Sequence, residues 1–310
     1  MSQLPDWIGV DWGTSNLRAW GLSDDGDVLF ERSSGQGMGT LEPLQFAPVL
    51  EALLSADLPM GADPIDVVVC GMAGARQGWH EAGYFDVPAD LTRLGSEAVA
   101  PKISDGSPMR PRILSGLCQR GAGVEDVMRG EETQLLGLSV LKQGFSGVIC
   151  MPGTHSKWVK LDGGIVQEFA TAMTGELYDV LSTHSVLRHS LNGDLEGPEL
   201  EPGIAAGLLQ GLEAPERLSS QLFKVRSASL LSDRTADWCA GYLSGLLVGA
   251  EVAGFASWRD GSPVMIVGSE RLGRLYGQAL RAGGVQSEFV DATAATIAGL
   301  TQARKQVVHG

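Results

Sequence analysis

The stretch Trp7-Ile-Gly-Val-Asp-Trp-Gly-Thr-Ser-Asn-Leu-Arg-Ala-Trp20 predicts an apolar strand, a Gly-Thr turn and a second strand, and the chain contains this pattern twice. The second copy is Val148-Ile-Cys-Met-Pro-Gly-Thr-His-Ser-Lys-Trp-Val-Lys160. Glycine at such a turn lets backbone N–H groups approach a phosphate oxygen closely, and neighbouring hydroxyls add further donors. Two turns of this kind can grip one polyphosphate, so the repeat predicts a two-lobed phosphotransfer enzyme.

The composition of the 310-residue chain favours two domains of ordinary size, since 44% of its residues are apolar and each half can bury a core. Its 23 basic and 37 acidic residues give a net charge of −14, which disfavours nucleic acid and anionic membranes as partners. A phosphate site must therefore be a local exception to the acidic surface, and Mg²⁺ would help to form it.

The predicted compartment is the cytoplasm. The first residues lack the basic and apolar regions of a secretory signal. The longest apolar stretch, residues 243–255, includes Glu251 and is too short to span a bilayer. The cysteines form no CxxC pair and are interpreted as reduced core residues. They are Cys70, Cys118, Cys150 and Cys239.

Strand and helix patterns alternate along the chain, which predicts an α/β architecture. Strands are predicted at residues 8–11, 17–22, 28–32, 66–70, 112–115, 147–151, 157–161, 165–170 and 264–267. Helices are predicted at residues 42–56, 131–142, 176–187, 203–212, 235–258, 271–282 and 291–304. A glycine-containing segment suggests a boundary between an N-terminal lobe, 1–143, and a C-terminal lobe, 144–310. The last predicted helix, which ends at residue 304 or 305, is a candidate to pack back onto the first lobe.

The first Gly-Thr turn carries candidate metal and phosphate ligands. Asp11 ends the first strand, and its carboxylate is a candidate Mg²⁺ ligand through water, because this hard cation prefers oxygen. The alternative is an aspartate that only caps the turn. Arg18 on the next strand is a candidate to bind a phosphate or a substrate carboxylate, although a strand-end arginine often faces solvent. The candidate nucleotide-binding residues of this turn are Gly13, Thr14, Ser15 and Asn16.

The second turn and a later strand complete the predicted nucleotide site. A buried strand runs into Gly268 and Ser269 and then a helix, an arrangement that lets a flat base such as adenine approach the backbone, although many α/β units contain it. Residues 35–40 lack the spacing of a dinucleotide loop, and no GxxxxGK[ST] motif occurs. The candidate phosphate-binding residues of the second turn are Gly153, Thr154, His155, Ser156 and Lys157.

A glycine loop at residues 71–79 is the candidate substrate site, because it follows a buried strand at the edge where α/β sheets collect ligands. Arg76, Gln77 and Trp79 in this loop suit a small polar anion. The alternative is an ordinary loop whose arginine extends into solvent.

Glu131 and Glu132 are the first residues of a predicted helix. The helix dipole favours negative charge at this end, and this effect alone can explain both carboxylates. Either is also a candidate general base for an attacking hydroxyl, since both precede the second phosphate turn. The sequence does not choose between the two.

Three of these segments resemble the phosphate-1, phosphate-2 and adenosine motifs of the actin-like ATPase superfamily. They are Asp11-Trp-Gly-Thr-Ser-Asn16, Gly153-Thr-His-Ser-Lys157 and Val267-Gly-Ser-Glu270. The resemblance implies two ribonuclease-H-like lobes that close over an interlobe cleft holding Mg-ATP and a sugar. One departure is Met151 before the second turn, where many members carry aspartate; metal binding would then rest more heavily on Asp11.

More narrowly, five blocks resemble the 2-dehydro-3-deoxygalactonokinase family. They are Val10-Asp-Trp-Gly-Thr-Ser-Asn-Leu-Arg-Ala19, Gly71-Met-Ala-Gly-Ala-Arg-Gln-Gly-Trp79, Arg129-Gly-Glu-Glu-Thr-Gln-Leu-Leu-Gly137, Pro152-Gly-Thr-His-Ser-Lys-Trp158 and Met173-Thr-Gly-Glu-Leu177. The resemblance implies ATP-dependent phosphorylation of 2-dehydro-3-deoxy-D-galactonate at its 6-hydroxyl, in D-galactonate catabolism. The implied ligands are ATP, Mg²⁺ and a small sugar acid, and a homo-oligomer is possible.

Two alternatives remain open at this point. The segment Gly130-Glu-Glu-Thr133 also resembles exopolyphosphatases, which would make the protein a phosphoanhydride hydrolase that needs no sugar acceptor. A non-enzymatic, ATP-switched binding protein or filament former is the other, but the chain leaves no room for a chaperone-like substrate domain.

Overall fold

The computed structural model describes residues 4–58, 63–259 and 261–309. The predicted α/β class is confirmed, since strands and helices alternate along these residues. The strands are β1 (Trp7–Trp12), β2 (Leu17–Leu22), β3 (Val28–Ser34), β4 (Ile65–Gly71), β5 (Tyr84–Asp86), β6 (Ala89–Asp90), β7 (Met109–Ile113), β8 (Gly116–Gln119), β9 (Asp126–Met128), β10 (Gly147–Met151), β11 (Ser156–Asp162), β12 (Ile165–Ala172), β13 (Val264–Gly268) and β14 (Ser287–Asp291). The α-helices are α1 (Phe46–Leu54), α2 (Glu131–Leu141), α3 (Thr174–His184), α4 (Leu200–Glu213), α5 (Leu218–Leu231), α6 (Ala236–Gly254), α7 (Glu270–Ala282) and α8 (Ala292–His309).

The chain divides into two compact units that are not continuous in sequence. Unit 1 comprises Met1–Ser146, Leu161–Glu168 and Ala292–Gly310, and unit 2 comprises Gly147–Lys160 and Phe169–Asp291. The predicted lobes 1–143 and 144–310 stay a prediction.

Unit 1 is built on a sheet with the strand order β3-β2-β1-β4-β7. The central strands β1 and β4 pair in parallel and are almost wholly buried, which explains their near-continuous apolar sequences. β1 pairs antiparallel with β2, and this register places Asp11 opposite Arg18 and beside Cys70 of β4. The sheet therefore gathers chemically active side chains at one end of β1.

The C-terminal helix α8 completes unit 1 by packing against α2 at very short range. A Cβ atom built on Gly137 of α2 would lie 1.8 Å from the carbonyl oxygen of Ala295, and one on Gly299 would lie 1.9 Å from that of Thr133. Only glycine permits this approach, so the last helix of the chain is fastened directly behind the helix that carries Glu132.

Unit 2 follows the strand order β14-β13-β10-β11-β12, which reproduces the order β7-β4-β1-β2-β3 of unit 1. β13 pairs in parallel with both β10 and β14. The repeat seen in the sequence is therefore a repeat of topology. Residues 161–168, at the outer part of β11 and β12, belong to unit 1, where Ile165 and Val166 pair with β6.

Two helices of unit 2, α4 and α6, run parallel with their backbones in contact along a glycine stripe. A Cβ atom on Gly207 would lie 2.2 Å from the carbonyl oxygen of Tyr242, and one on Gly245 would lie 2.2 Å from that of Ile204. The stripe has a glycine at every fourth position of each helix, so that one face of each is bare. Its members are Gly203, Gly207, Gly211, Gly241, Gly245 and Gly249.

Several elements differ from the predictions. The strand predicted at 112–115 is β7, which begins earlier and contains Pro111; β7 lies at the edge of its sheet, where proline is tolerated. The helix predicted at 235–258 ends at Gly254 and is followed by a 3₁₀ turn. Helix α5 and five short or edge strands were not predicted.

No helix in the described part of the chain has both the length and the apolar character needed to cross a membrane. The cytoplasmic location stays a prediction.

Candidate active site

The carboxylate of Asp11 lies at the end of β1 in unit 1 and is held by Arg18. Its Oδ2 accepts a hydrogen bond of 2.7 Å from Arg18 Nη2, and its Oδ1 lies 3.9 Å from Cys70 Sγ. Arg18 Nη1 also donates to Thr293 Oγ1 of α8 at 3.0 Å. Both ends of this guanidinium are thus engaged within the protein, and Arg18 orients Asp11 in the structure as it stands.

The predicted phosphate turn, Gly13–Asn16, follows directly and presents exposed residues. The N–H of Gly13 donates to the carbonyl oxygen of Asn16 at 2.8 Å, which closes the turn. The side chains of Thr14, Ser15 and Asn16 are exposed, so their hydroxyl and amide groups are available to a ligand.

The glycine segment after β3 supports this turn, a role that the sequence analysis missed. The N–H groups of Met38 and Gly39 donate to the carbonyl oxygens of Gly13 and Thr14 at 3.0 and 2.8 Å. A Cβ atom on Gly37 would lie 2.3 Å from the oxygen of Thr14. The alternating glycines at 35, 37 and 39 were the available signal, since they mark a close approach of two backbones.

Two glycines with positive φ bring the start of α2 beside the end of β1. Gly71 has φ +86° and Gly130 has φ +107°. A Cβ atom on Gly71 would lie 2.6 Å from the oxygen of Trp12 and 3.3 Å from Asp11 Oδ1, while one on Gly130 would lie 3.4 Å from Gly71 Cα. The backbones therefore stack closely, and α2 begins near Asp11.

Glu132 in the first turn of α2 is fully buried, with 0% of its surface exposed. Its Oε2 accepts the N–H of Gly130 at 2.6 Å, and its Oε1 accepts the Thr133 hydroxyl at 3.0 Å. Burial, followed by repulsion from Glu131, raises the pKa of the Glu132 carboxyl to about 7. A carboxylate with this pKa can take up a proton at neutral pH, as a general base must.

The surroundings of Cys70 show that the carboxylates of Asp11 and Glu132 lie in the same part of unit 1. Burial raises the pKa of its thiol, and the negative charges of Asp11 and Glu132 raise it further. The structure thus brings together Asp11 and Glu132, which the sequence placed more than a hundred residues apart.

Glu131 has a different setting from Glu132. It is only partly buried, and its Oε2 accepts the N–H of Arg129 at 3.1 Å. It therefore serves the end of the loop before α2, while Glu132 faces the cluster with Asp11.

The predicted substrate residues of the 71–79 loop separate in the structure. Arg76 is 82% exposed and lies 3.6 Å from Glu81, and Gln77 is also exposed. Trp79 is a core residue, 7% exposed, whose ring lies 6.0 Å from that of Trp12. This placement corrects the interpretation of Trp79 as a substrate contact, because its indole is buried and packs in the core beneath the loop.

Arg129 is a basic residue near the cluster that the sequence analysis did not nominate. Its Nη2 donates to the carbonyl oxygen of Ala82 at 2.7 Å, and its guanidinium lies 4.3 Å from the centre of the Tyr84 ring. Its positive charge lowers the pKa of Glu132 and so opposes the effect of burial. It joins the end of the 71–83 segment to the start of α2.

The second predicted phosphate turn, in unit 2, packs against the start of α3. The N–H of Glu176 donates to the carbonyl oxygen of Thr154 at 3.0 Å, and a Cβ atom on Gly175 would lie 2.5 Å from the oxygen of Gly153. His155 is half exposed, and its Nε2 forms a hydrogen bond with the carboxylate of Glu176. Gly153 and Thr154 thus lie at a turn fixed by the first residues of a helix.

Ser156 and Lys157 turn away from solvent after this turn. Ser156 is fully buried, with its Oγ 2.9 Å from the hydroxyl of Tyr276. This corrects the prediction that its hydroxyl contacts a phosphate, because Ser156 begins β11 and faces the core. Lys157 is 4% exposed and its Nζ donates to the carbonyl oxygen of His155 at 3.3 Å, which leaves its charge beside the turn.

A cavity of about 750 Å³ opens within unit 2 between α3, α4, α6 and α7. Its volume is within the range of small-molecule sites. Gly153 and Gly175 belong to its wall, so the cavity reaches the phosphate turn. Other lining residues are Thr174, Tyr178, Ile204, Leu247, Leu272 and Tyr276.

The predicted adenosine residues lie at the start of α7, beside this cavity but outside its lining. Gly268 ends β13 next to Pro152, and Ser269 is exposed before the first turn of α7. Among the described residues, those of α7 that line the cavity come from its first turn onward, such as Arg271 and Leu275. The cavity is thus lined by α7 itself and not by Gly268 or Ser269.

The donor set of unit 1 fits Mg²⁺ as a hydrated ion. Within the described residues, no group of three or more histidine, cysteine, aspartate or glutamate side chains could enclose a metal. Mg²⁺ in phosphotransfer sites is bound by one or two carboxylates, with waters and substrate phosphates as the other ligands. The partly exposed carboxylate of Asp11 beside a glycine turn meets that requirement.

Comparison with known proteins gives a consistent result. A family model described as 2-keto-3-deoxy-galactonokinase matches residues 11–303. A probable 2-dehydro-3-deoxygalactonokinase of Rhizobium meliloti (strain 1021) is 42% identical over 305 residues, which cover 97% of this chain and 97% of that protein. The 2-dehydro-3-deoxygalactonokinase of Escherichia coli (strain K12) is 36% identical over 295 residues, which cover 95% of this chain and 96% of that protein.

Solved structures agree with these relatives. A crystal structure of a candidate 2-dehydro-3-deoxygalactonokinase from Sinorhizobium meliloti is 41% identical, with a TM-score of 0.86 and coverage of 96% of each chain. The activator of the 2-hydroxyisocaproyl-CoA dehydratase from Clostridium difficile, solved with ADPNP, is 13% identical, with a TM-score of 0.52 over 98% of this chain and 96% of that chain. The second likeness shows the fold alone, and the expected actin-like ATPase fold is confirmed.

Proposed function

The chain belongs to the 2-keto-3-deoxy-galactonokinase family, and from this premise we propose that it transfers the γ-phosphoryl group of ATP to the 6-hydroxyl of 2-dehydro-3-deoxy-D-galactonate. It is a sugar-acid kinase, a phosphotransferase of D-galactonate catabolism. The observation that supports this reaction best is the buried carboxyl of Glu132, with a pKa of about 7, in the cluster that contains Asp11. The hydrolase and binding-protein alternatives are not favoured by the relatives.

Phosphate binding is assigned to the two glycine turns. Thr14 in unit 1 and Thr154 in unit 2 offer exposed hydroxyls to phosphate oxygens, while Gly13 and Gly153 let those oxygens approach the backbone of each turn. Ser15, Asn16 and His155 add side-chain donors, and Lys157 adds a positive charge next to its turn. Gly268 and Ser269 remain candidates near the adenosine. Such chemistry depends mostly on positioning and on neutralising the charge of the transferred group.

Asp11 is assigned as the protein ligand of Mg²⁺. Bound Mg²⁺ would neutralise phosphate charge. Arg18 holds Asp11 through one carboxylate oxygen, Oδ2, which fixes the direction of the other. In this structure Arg18 therefore orients Asp11. To contact the substrate, as the sequence predicts, Arg18 would have to leave its ion pair with Asp11.

Glu132 is assigned as the general base and Glu131 as its alternative. The attacking hydroxyl must lose its proton as the new O–P bond forms, and a base with a pKa near the operating pH accepts that proton most effectively. Glu132 meets this requirement because burial has raised its pKa, and as it has no exposed surface it must become accessible when the substrate binds. The N–H of Gly130 and the hydroxyl of Thr133 hold its two oxygens in place.

We expect Arg76→Ala to raise the KM for the sugar acid by about tenfold and to change kcat little, because an exposed arginine pairs with the substrate carboxylate in the ground state and the transition state alike. Initial rates at saturating ATP measure this. The matched control is Arg93→Ala, which removes a similarly exposed arginine that pairs with Glu97. An unchanged KM in Arg76→Ala would remove Arg76 from the substrate site and direct attention to Arg129.

A coupled assay of ADP release tests the reaction itself. Mg-ATP is supplied with 2-dehydro-3-deoxy-D-galactonate, with its gluconate epimer, or without an acceptor. We expect ADP release that depends on the acceptor and is fastest with the galactonate form. Equal release in all three reactions would contradict the kinase proposal and favour hydrolysis. A homo-oligomer, also possible from the sequence, is measured in the same preparation by light scattering.

A further inference from the structure

Glu251 of α6 is a buried carboxylate on which donors from three other elements of unit 2 converge. Its Oε1 accepts the indole N–H of Trp158 at 2.8 Å, and its Oε2 accepts the Tyr276 hydroxyl at 2.6 Å. The hydroxyls of Thr174 and Ser156 also form hydrogen bonds with it. Glu251 is 8% exposed. One side chain thus joins β11, the first residue of α3 and the middle of α7.

The partners of Glu251 border the cavity of unit 2, which we take as the nucleotide site because Gly153 of the phosphate turn belongs to its wall. Thr174 and Tyr276 line the cavity of about 750 Å³. Ser156 follows the Gly153–His155 turn and is itself 2.9 Å from the Tyr276 hydroxyl. The network therefore supports both the cavity wall and the phosphate turn from behind, without reaching the cavity through Glu251 itself.

Stability alone does not explain a carboxylate at this position. Burial raises the pKa of Glu251, and the four donors oppose that effect. A buried charged group with its partners is often no more stable than a well-packed apolar set of the same volume. What four directed hydrogen bonds add is a fixed arrangement of the groups that donate them.

We propose that Glu251 is a positioning residue for the nucleotide: it holds Thr174, Tyr276 and the strand after Gly153 in the arrangement that binds ATP. The inference rests on the proposed function, because ATP is taken as the ligand of the cavity. It assigns the carboxylate a role in nucleotide affinity and none in sugar-acid affinity.

The test is the affinity for Mg-ATP, measured by calorimetry without any sugar acid. We expect Glu251→Gln, which keeps the shape but replaces one accepting oxygen with an NH2 donor, to bind Mg-ATP about ten- to a hundredfold more weakly, as loss of an orienting partner does at other ligand sites. Tyr276→Phe, which removes only one hydroxyl, should weaken binding about three- to tenfold. The KM for the sugar acid should stay within about twofold in both variants.

Tyr242→Phe is the matched control. Tyr242 is a buried tyrosine of the same helix, its hydroxyl has no hydrogen-bond partner in the part of the chain that is described, and it does not line this cavity. Its variant should bind Mg-ATP like the parent protein.

The outcomes separate clearly. Folded Glu251→Gln with lower thermal stability and unchanged Mg-ATP affinity would overturn the proposal by showing a purely structural role. If that variant does not fold, Tyr276→Phe decides: unchanged affinity overturns the proposal, and weaker affinity with normal folding supports it. Because binding is measured without turnover, a parent protein that binds Mg-ATP but does not phosphorylate the sugar acid would contradict the proposed function and leave the Glu251 test intact.

Discussion

Glu132→Gln is expected to lower kcat for phosphoryl transfer by about 10²- to 10⁴-fold, the usual contribution of a positioned general base. The amide has the shape of the protonated carboxyl: its oxygen can accept the N–H of Gly130 and its NH2 can donate to the hydroxyl of Thr133, so the fold around it should persist. Steady-state rates with saturating ATP and sugar acid measure the loss. The matched variant is Glu131→Gln, which should lose less than about tenfold. A reversed order of the two variants would make Glu131 the base.

The same assignment fixes the pH dependence. A base must be deprotonated to act, and the pKa of Glu132 is about 7. We therefore expect kcat/KM of the parent protein to fall as the pH decreases below about 7. In Glu132→Gln this limb of the profile should be absent from the residual activity.

Stability should change in the opposite direction to activity. A carboxyl whose pKa is higher in the folded than in the unfolded chain favours folding most below the unfolded value, and that contribution is lost as the pH rises through the folded value. For Glu132 this window runs from 4.5 to about 7. The shift corresponds to about 3 kcal/mol. Above pH 7, Glu132→Gln should thus have the larger free energy of unfolding, while near pH 4 the two proteins should agree. Urea titrations at pH 4 and at pH 8 measure the two free energies of unfolding. Equal stabilities of the two proteins at pH 8 would show that burial does not raise the pKa of Glu132.

Gly245→Ala is expected to lower the free energy of unfolding by about 1–3 kcal/mol or more, the usual effect of overpacking. The added methyl would lie 2.2 Å from the carbonyl oxygen of Ile204, so α4 and α6 would have to move apart along the whole glycine stripe. In an exposed helix the same change stabilises by up to about 1 kcal/mol, so the sign itself is informative. Thermal or urea unfolding gives the comparison.

Gly254→Ala provides the control within the same helix. Gly254 is the last residue of α6, and a Cβ atom there would meet nothing within 4 Å. This variant should be as stable as the parent protein or slightly more stable. If both alanine variants behave alike, the contact between α4 and α6 does not depend on the absence of side chains.

Much of the fold was predictable because the strands that form it are strongly apolar or follow the repeated turn. The core strands β1, β4, β10 and β13 were placed within one or two residues of their observed bounds. The short strands β5, β6, β8 and β9 were missed. Strands of only two to four residues owe their extended form to pairing with segments that are distant in the sequence. Helix α5 was missed because its apolar residues do not follow one face.

The site was less predictable than the fold. The motifs nominated Asp11 and Glu132 separately, but only the backbone stacking at Gly71 and Gly130 explains why the two share a neighbourhood. Burial also separated residues that the sequence had grouped: Ser156 and Trp79 face the core, while their neighbours Thr154 and Gln77 are exposed. A motif shows which residues are adjacent in the chain, and it does not show which way each side chain points.

The position of α8 has a consequence for synthesis. Thr293 bonds to Arg18, and Gly299 packs on Thr133, so unit 1 is assembled from the two ends of the chain. On the ribosome the first residues emerge long before the last, and a nascent chain holds Asp11 and Glu132 without the helix that backs them. Unit 2, by contrast, consists of residues Gly147–Lys160 and Phe169–Asp291 and includes no part of α8. Catalytic competence would therefore arrive only once α8 has been made, and a chain truncated before residue 292 would give no partial enzyme.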